Sequence, residues 1–243
     1  MKKTVVRFIV IGIISIPMLM LSSCSEDGSF GTVNLSVAIK GSNVINKGGR
    51  TGGRTKAVIE ITDFQISIRD VVFKVDDDNN NGIDDDTLDI GFRGPFLLDL
   101  LSGADALSQS IGSAEVPNGT YQELRFKFHK SEDGASSGPL NGKSILVKGT
   151  IDGTPFEMWH DTSENLDIGK STGVVVADNS VSIEVTFSID QFLTSEVDVD
   201  LSQAVDGNGD GLIEINPNDP DGNKDLAEQL KRNIKAAADL LDK

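Results

Sequence analysis

Residues 174–189 read VVVADNSVSIEVTFSI, and their reading decides the fold. Val181, Ile183, Val185, Phe187 and Ile189 take every second position, with Ser182, Glu184, Thr186 and Ser188 between them. That is the period of a strand with one buried face; a helix would need apolar residues three and four apart. Val174 to Ala177 forms a second apolar block, and Asp178-Asn179-Ser180 between the two is turn chemistry, so the stretch predicts a hairpin. Just upstream, Ile145 to Ile151 and Pro155 to Trp159 flank Asp152-Gly153-Thr154, a second tight-hairpin signal.

The same period recurs outward from this stretch. Val33, Leu35, Val37 and Ile39 alternate with polar or small residues, and Leu124, Phe126 and Phe128 alternate with Glu123, Arg125 and Lys127. Between Val58 and Val75 the apolar parity switches twice, from Ile59 and Ile61 to Phe64, Ile66 and Ile68, then to Val71, Phe73 and Val75; each switch predicts a bulge or bend. Phe96 to Leu101 is an apolar run holding Asp99, a short helical turn is expected over Ala104 to Leu107, and Pro117-Asn118-Gly119 marks a turn. Gly41 to Lys56 is Gly-rich and basic, with Lys47, Arg50, Arg54 and Lys56, and reads as a mobile loop. Strands joined by short polar turns without helical crossovers predict a mainly β chain, an antiparallel β-sandwich. The tail differs: Leu226, Leu230, Ile234, Ala237 and Leu241 recur at helical spacing, Asn223 can cap the start, and Asp225 and Glu228 lie near the positive end of the dipole. A C-terminal amphipathic helix packed on the sandwich is expected.

The first residues carry an address. Lys2, Lys3 and Arg7 precede an apolar run from Phe8 to Leu21, shorter than the roughly 20 residues that span a bilayer, which is the pattern of an export signal. Leu21-Ser22-Ser23-Cys24 resembles the lipobox of bacterial lipoproteins, which implies acylation of Cys24 and attachment to the membrane by lipid. Several acyl chains give a stable anchor. Ser25-Glu26-Asp27 resembles a tether that sends lipoproteins to the cell exterior, and reads equally as an acidic start to a linker. The expected organisation is a signal over 1–23, an acylated tether over 24–30, the sandwich over 31–193, an acidic calcium-type loop region over 194–222 and the helix over 223–243. The expected location is the outer membrane, lipid-anchored and open to surface exposure.

The chain has a formal charge of −16, and loss of the three basic residues of the leader takes the exported part to −19. Such a surface repels phosphate backbones, so no nucleic-acid partner is expected. Cys24 is the sole cysteine, so the exported part forms no internal disulfide and its sheets must rely on packing and metal.

Residues 206–214 read DGNGDGLIE, with oxygen donors at alternate positions before a glycine. A hard cation takes six to eight oxygens, and a loop of this kind supplies them from its first, third and fifth side chains, its seventh carbonyl and its ninth position. Asp206, Asn208, Asp210, the Leu212 carbonyl and Glu214 fit those roles for Ca2+. The pattern resembles an EF-hand loop, and Ile213 falls where that family has its buried apolar residue. Position twelve, a bidentate Glu in the EF-hand, is Pro217 here; Asn216, Asn218, Asp219 and Asp221 stand near enough to close the shell, with Asp219 counted in the expected set. An acidic Gly-rich linker would show the same composition. A second cluster spans Asp76 to Asp86, where Asp77, Asn79, Asn81, Asp84 and Asp85 repeat the alternation around Gly82. It resembles thrombospondin-type calcium loops, and solvated disorder is its alternative.

Catalytic chemistry has few carriers. His129 and His160 are the two histidines, and no Gly-x-Ser-x-Gly, His-Glu-x-x-His or phosphate-cradling loop occurs. Met158-Trp159-His160 offers a soft metal set or an aromatic sugar platform, but alternation puts Met158 and His160 on one face of a strand and Trp159 on the other. Phe96-Leu97-Leu98-Asp99-Leu100-Leu101-Ser102-Gly103, followed by Val116-Pro117-Asn118-Gly119-Thr120-Tyr121-Gln122-Glu123-Leu124-Arg125-Phe126, resembles the bacterial lipoprotein domains called domain of unknown function 4382. That resemblance implies a β-sandwich of unassigned activity. The expectation is a non-enzymatic, calcium-stabilised binding or adhesion module for a carbohydrate or protein ligand, with Trp159 as a candidate contact. The alternatives are a metal-dependent envelope hydrolase and a structural partner protein that uses the C-terminal helix.

Overall fold

The computed structural model describes residues 29–47, 57–75, 90–131 and 138–242. The leader, Cys24, the acidic cluster of residues 76–86 and most of the basic loop lie outside the described residues. Two sheets face each other across one continuous apolar core, the sandwich that the alternation predicts.

The smaller sheet is built on β1 (Phe30–Lys40), β6 (Ser108–Pro117), β11 (Ser180–Ser188) and β13 (Ala238–Asp242), in the order β13-β11-β1-β6. The larger holds β3 (Ala57–Val75), β7 (Gly119–Phe128), β8 (Ile145–Ile151), β9 (Thr154–His160), β10 (Asn165–Val176) and β12 (Ile213–Ile215), in the order β10-β7-β3-β8-β9-β12. The long β3 is its spine. One flank pairs with β8 and then β7, the other with β2 (Val44–Lys47) and then β4 (Ile90–Ser102). Serving four neighbours requires register shifts, and they fall between Ile61 and Asp63 and between Ile68 and Asp70, where the apolar parity switches.

Val33, Leu35, Val37, Ile183, Val185 and Phe187 of the small sheet bury against Ile61, Phe64, Ile66, Phe126, Val147 and Met158 of the large one. Phe64 is the cross-sheet key: its ring lies 6.3 Å from Phe187 and 5.4 Å, edge-on, from Phe192 of α1 (Ile189–Thr194). The β11 stretch is buried on both faces, with Glu184, Thr186 and Ser188 at 8 %, 3 % and 8 % exposure, and it lies inside the sheet between β1 and β13. Its pairing with β1 is parallel, as is that of β12 with β9; the other ladders are antiparallel.

Four local expectations are corrected. The hairpin expected at Asp178-Asn179-Ser180 is a crossing between sheets: β10 pairs with β7 and β11 with β1. Asn118, in the turn from β6 to β7, makes the same crossing, and the two turns lock together, Asn118 Nδ2 donating to Asp178 Oδ1 at 2.7 Å and Asp178 N to Asn118 Oδ1 at 2.9 Å. No helical turn forms over Ala104 to Leu107; Gly103 and Ala104 take φ of +57° and +71°, the two-residue turn that right-handed sheet twist favours, and it joins β4 to β5 (Asp105–Ala106). Part of the basic loop is strand, since Val44 and Ile45 pair with Glu60 and Ile59. The C-terminal helix α2 is Lys224–Ala236, so Leu241 is not on it: residues 238–242 pair with β11 as β13.

Within α2, Ala227, Leu230 and Ile234 bury against the sandwich. Between them Asn233 is fully buried, its amide accepting from Glu196 N and Val197 N and donating to Phe192 O and Val197 O. All of its hydrogen-bonding capacity is used, which makes a buried amide tolerable. The Asp152-Gly153 hairpin forms as expected between β8 and β9.

Candidate metal centre

β12 closes one edge of the large sheet, and the chain reaches it through the loop of residues 205–212. Ile213 and Ile215 are buried in the core, while Glu214 stands between them, in register with Glu157 of the parallel β9. In the loop the Asp206 carboxylate collects three backbone N–H groups, from Gly209 at 2.7 Å and Asp210 at 3.2 Å on one oxygen and from Gly211 at 2.9 Å on the other. Asn208 Oδ1 accepts from Asp210 N, and Asp210 Oδ1 accepts from Leu212 N, each at 2.9 Å. Gly211 turns the chain with a φ of +91°, a conformation that costs glycine little. Gly207 is needed for a different reason, since a Cβ there would lie 2.3 Å from the Asp221 carbonyl oxygen.

The group that lies across the loop is Asp221. Its side chain is buried, with Oδ1 accepting from Asn208 N at 3.1 Å and Oδ2 from Glu214 N at 2.7 Å. Asp219 serves the helix: its Oδ1 accepts from Lys224 N at 2.8 Å, satisfying the first N–H of α2. Asn223 makes no side-chain cap bond. It is buried and bridges the two ends of the loop, accepting from Val205 N at 3.0 Å and donating to Val205 O at 2.7 Å and Glu214 O at 2.9 Å. Its bridging role has no signature in the hydrophobic period, because it depends on where residues 205 and 214 come to lie.

Asp206, Asp210 and Glu214 belong to the loop and strand that the buried Asp221 bonds to, and among the described residues none of the four is ion-paired to a lysine or arginine. Burial, and then the neighbouring charges of Asp221, Asp210 and Glu157, push the Glu214 carboxyl above the usual carboxylate range, with Lys143 opposing. Among the described residues no three His, Cys, Asp or Glu side chains form a ready-made metal cage. The donors fit a hard cation in kind, being oxygen only, and they meet backbone N–H groups. A carboxylate offers about four acceptor sites, so an oxygen that accepts one N–H retains capacity for a cation. Asp206, Asn208, Asp210, Glu214, Asp221 and the Leu212 carbonyl are the groups from which such a site can be drawn.

The neighbouring carboxylates are treated differently. Partial burial works against Glu157, but Lys143 Nζ at 2.6 Å and Lys148 Nζ at 3.0 Å hold it below the usual range. Glu164 is lowered chiefly by its bond with Lys235, with Lys231 assisting at 3.1 Å. His160 Nε2 lies 3.3 Å from Glu228 Oε1; burial raises that carboxyl, and His160 and Lys231 together bring it below the ordinary value.

Met158 and His160 are buried and Trp159 is half-buried on the opposite face, so the strand divides the Met-Trp-His set as alternation predicts. Lys143 Nζ lies 5.6 Å from the centroid of the Trp159 ring. His129 is part-buried at the end of β7, its backbone N–H donating to Ser67 O at 3.1 Å. Asp77, Asn79, Asn81, Asp84 and Asp85, like Cys24, lie outside the described residues.

Fold and site define a two-sheet β-sandwich with an oxygen-rich loop on its sheet edge. The family model described as Domain of unknown function (DUF4382) matches residues 52–217, more than half of the chain, and the chain belongs to that family. The match runs from the spine strand through the loop to Pro217, ending before Asp221 and Asn223. No curated protein matches, and no solved structure matches.

Proposed function

We propose that the protein is an exported, lipid-anchored cell-envelope protein whose sandwich is a non-catalytic binding or adhesion module braced by calcium at the edge of β12. The observation that carries the calcium reading is the contrast in charge: Glu157, Glu164 and Glu228 each have a cationic or histidine partner, whereas among the described residues Asp206, Asp210 and Asp221 accept backbone N–H groups, Glu214 accepts from the Asn208 side-chain amide at 3.5 Å, and none of the four has an ion pair. A bound cation would relieve the repulsion among these carboxylates and hold together residues 206–221, which support both β12 and the start of α2. The anchor reading rests on the leader and Cys24, and no helix among the described residues is long and apolar enough to cross a membrane.

Extracellular calcium modules bind at about 10⁻⁴ to 10⁻³ M. At about 10 mM calcium, linkage then adds about 1.4–2.7 kcal/mol, or about 3–10 °C in unfolding temperature for a chain of this size. Thermal melts in chelator, calcium and magnesium test this, with magnesium expected to do less; identical curves would defeat the calcium reading. Growth with a labelled fatty acid tests the anchor, with label expected on the parent chain and absent after Cys24→Ala.

A further inference from the structure

On the outer face of the large sheet a hollow of about 370 Å³ opens between β3 and β4, lined by Arg69, Asp70, Val72, Gly91, Phe92 and Arg93 among others. Its volume lies at the low end for small-molecule sites. The hollow sits on a bulge of β3: Ile68 pairs with Phe128 and Val71 with Phe126, so Arg69 and Asp70 together oppose the single residue Lys127. A regular strand would turn one of two successive side chains inward. Here both stay out, 56 % and 40 % exposed, between the core residues Ile68 and Val71. On the other flank Arg93 is in register with Asp70, and Gly91 with Val72. Position 91 requires glycine, since a Cβ would lie 2.2 Å from the Val71 carbonyl oxygen, and the absence of a side chain leaves room beside Arg93.

The charge gathered here opposes that of the chain, which is −16 overall. Arg69, Arg93 and Lys127 stand around the one acid that lines the hollow, Asp70. Arg69 Nε lies 3.8 Å from Asp70 Oδ2, and among the described residues neither Arg93 nor Lys127 has an ion-pair partner. Both are exposed. A guanidinium presents a flat fork of donors that matches a carboxylate two bonds at a time, so two of them in one hollow favour an anion. Asp70 restricts which anion: it repels a second negative charge, and as a group that only accepts it suits a hydroxyl donor. The acidic surface of the rest of the chain works against polyanions. One carboxylate among several hydroxyls is the chemistry of a sugar acid, and the half-buried Val72 and Phe92 supply carbon for one edge of its ring.

We propose that this hollow binds a sugar acid, with the carboxylate held by Arg69 and Arg93 and a ring hydroxyl donating to Asp70. The inference names a ligand class for the binding module proposed above, on which it rests, and does not depend on calcium. The full chain, isotopically labelled at its amides, is titrated by NMR with glucuronate, the methyl glycoside of glucuronate, the neutral methyl glucoside and inorganic sulfate. The expected result is saturable shifts at the amides of Asp70, Gly91 and Arg93 with glucuronate, and at least tenfold weaker binding of both methyl glucoside and sulfate. Glucuronate should also bind at least tenfold more weakly to Arg93→Gln, since charge-assisted paired bonds are the strong ones; at an exposed position the substitution leaves the fold in place. A methyl glycoside that binds as well as glucuronate would identify a sugar acid within a glycan chain as the source; tenfold weaker binding would identify the free acid. Absence of saturable shifts at these amides, or sulfate or methyl glucoside binding as tightly as glucuronate, overturns the proposal on the unaltered chain. Unchanged glucuronate affinity in Arg93→Gln overturns it too. Saturable shifts confined to another part of the molecule would overturn this site and keep the binding reading, and calcium-dependent melting would be unaffected by any of these failures.

Discussion

Two groups of carboxylates lie side by side at the β9–β12 edge, and the protein handles them in opposite ways. Glu157 sits between Lys143 and Lys148 and its charge is neutralised within the fold. One strand away, burial and then the charges of Asp221 and Asp210 raise the Glu214 carboxyl above the usual range. The loop holds its shape through backbone N–H bonds and the Asn223 bridge, which are neutral devices that leave the repulsion in place. The proposed calcium site draws on this difference: the acids that the fold pairs internally are excluded from it, and the crowded set is what an external cation would serve.

The largest effect should come from the bridge. Asn223→Ala removes three hydrogen bonds from a buried side chain and takes these partners from Val205 and Glu214, an expected loss of about 2–4 kcal/mol in urea unfolding; a loss under about 1 kcal/mol would mean that the loop frame does not depend on it. Next, Asp206→Ala should abolish the calcium increment of about 1.4–2.7 kcal/mol, whereas Glu157→Gln should retain it, and loss in both would erase the distinction between the two groups. Asp219→Ala should cost about 1 kcal/mol as a lost bond to the first N–H of α2 while leaving calcium affinity, read by calorimetry, within about twofold. Lys148→Ala should change stability by no more than about 1 kcal/mol, as expected for a half-exposed ion pair.

Acid sharpens the same comparison. The folded loop holds the Glu214 proton more tightly than the unfolded chain does, so this group stabilises the calcium-free protein as pH falls through the carboxylate range. Glu157 and Glu228 are held below that range, so their contribution is present above the unfolded value and is lost as pH falls through their lowered folded values. Protons should also compete with calcium at Glu214. The gap between melts in calcium and in chelator is therefore expected to narrow from neutral pH to about pH 4, and a constant gap would exclude Glu214 from the site.

The strands of the core were legible because burial writes itself into the sequence every second residue, and the parity breaks in β3 even located its bulges. Partner choice was not. Asp178-Asn179-Ser180 carries the same turn chemistry whether the chain returns to its own sheet or crosses to the other, and the strands that β10 and β11 pair with, like the Asn118 that Asp178 meets 60 residues away, are set by the tertiary fold. Leu241 kept the helical spacing of α2, yet the open flank of β11 draws residues 238–242 into the sheet, a tertiary demand that overrides local preference. In the loop, the alternating oxygens identified Asp206, Asn208 and Asp210 as a unit, and the buried position of Ile213 followed from the same pattern. The separate tasks of Asp219, Asp221 and Asn223 were not readable, since three polar residues within five positions differ only in which way the folded backbone aims them.

The position of β1 also has a mechanical consequence. The strand is paired along its length on both sides, parallel to β11 and antiparallel to β6. Tension directed along the strand from ahead of Phe30 would load both ladders in shear, so many bonds must yield together, whereas an edge strand under the same load has a single ladder to break. Single-molecule pulling from that end should meet a higher rupture force than pulling from β13, which has one neighbour.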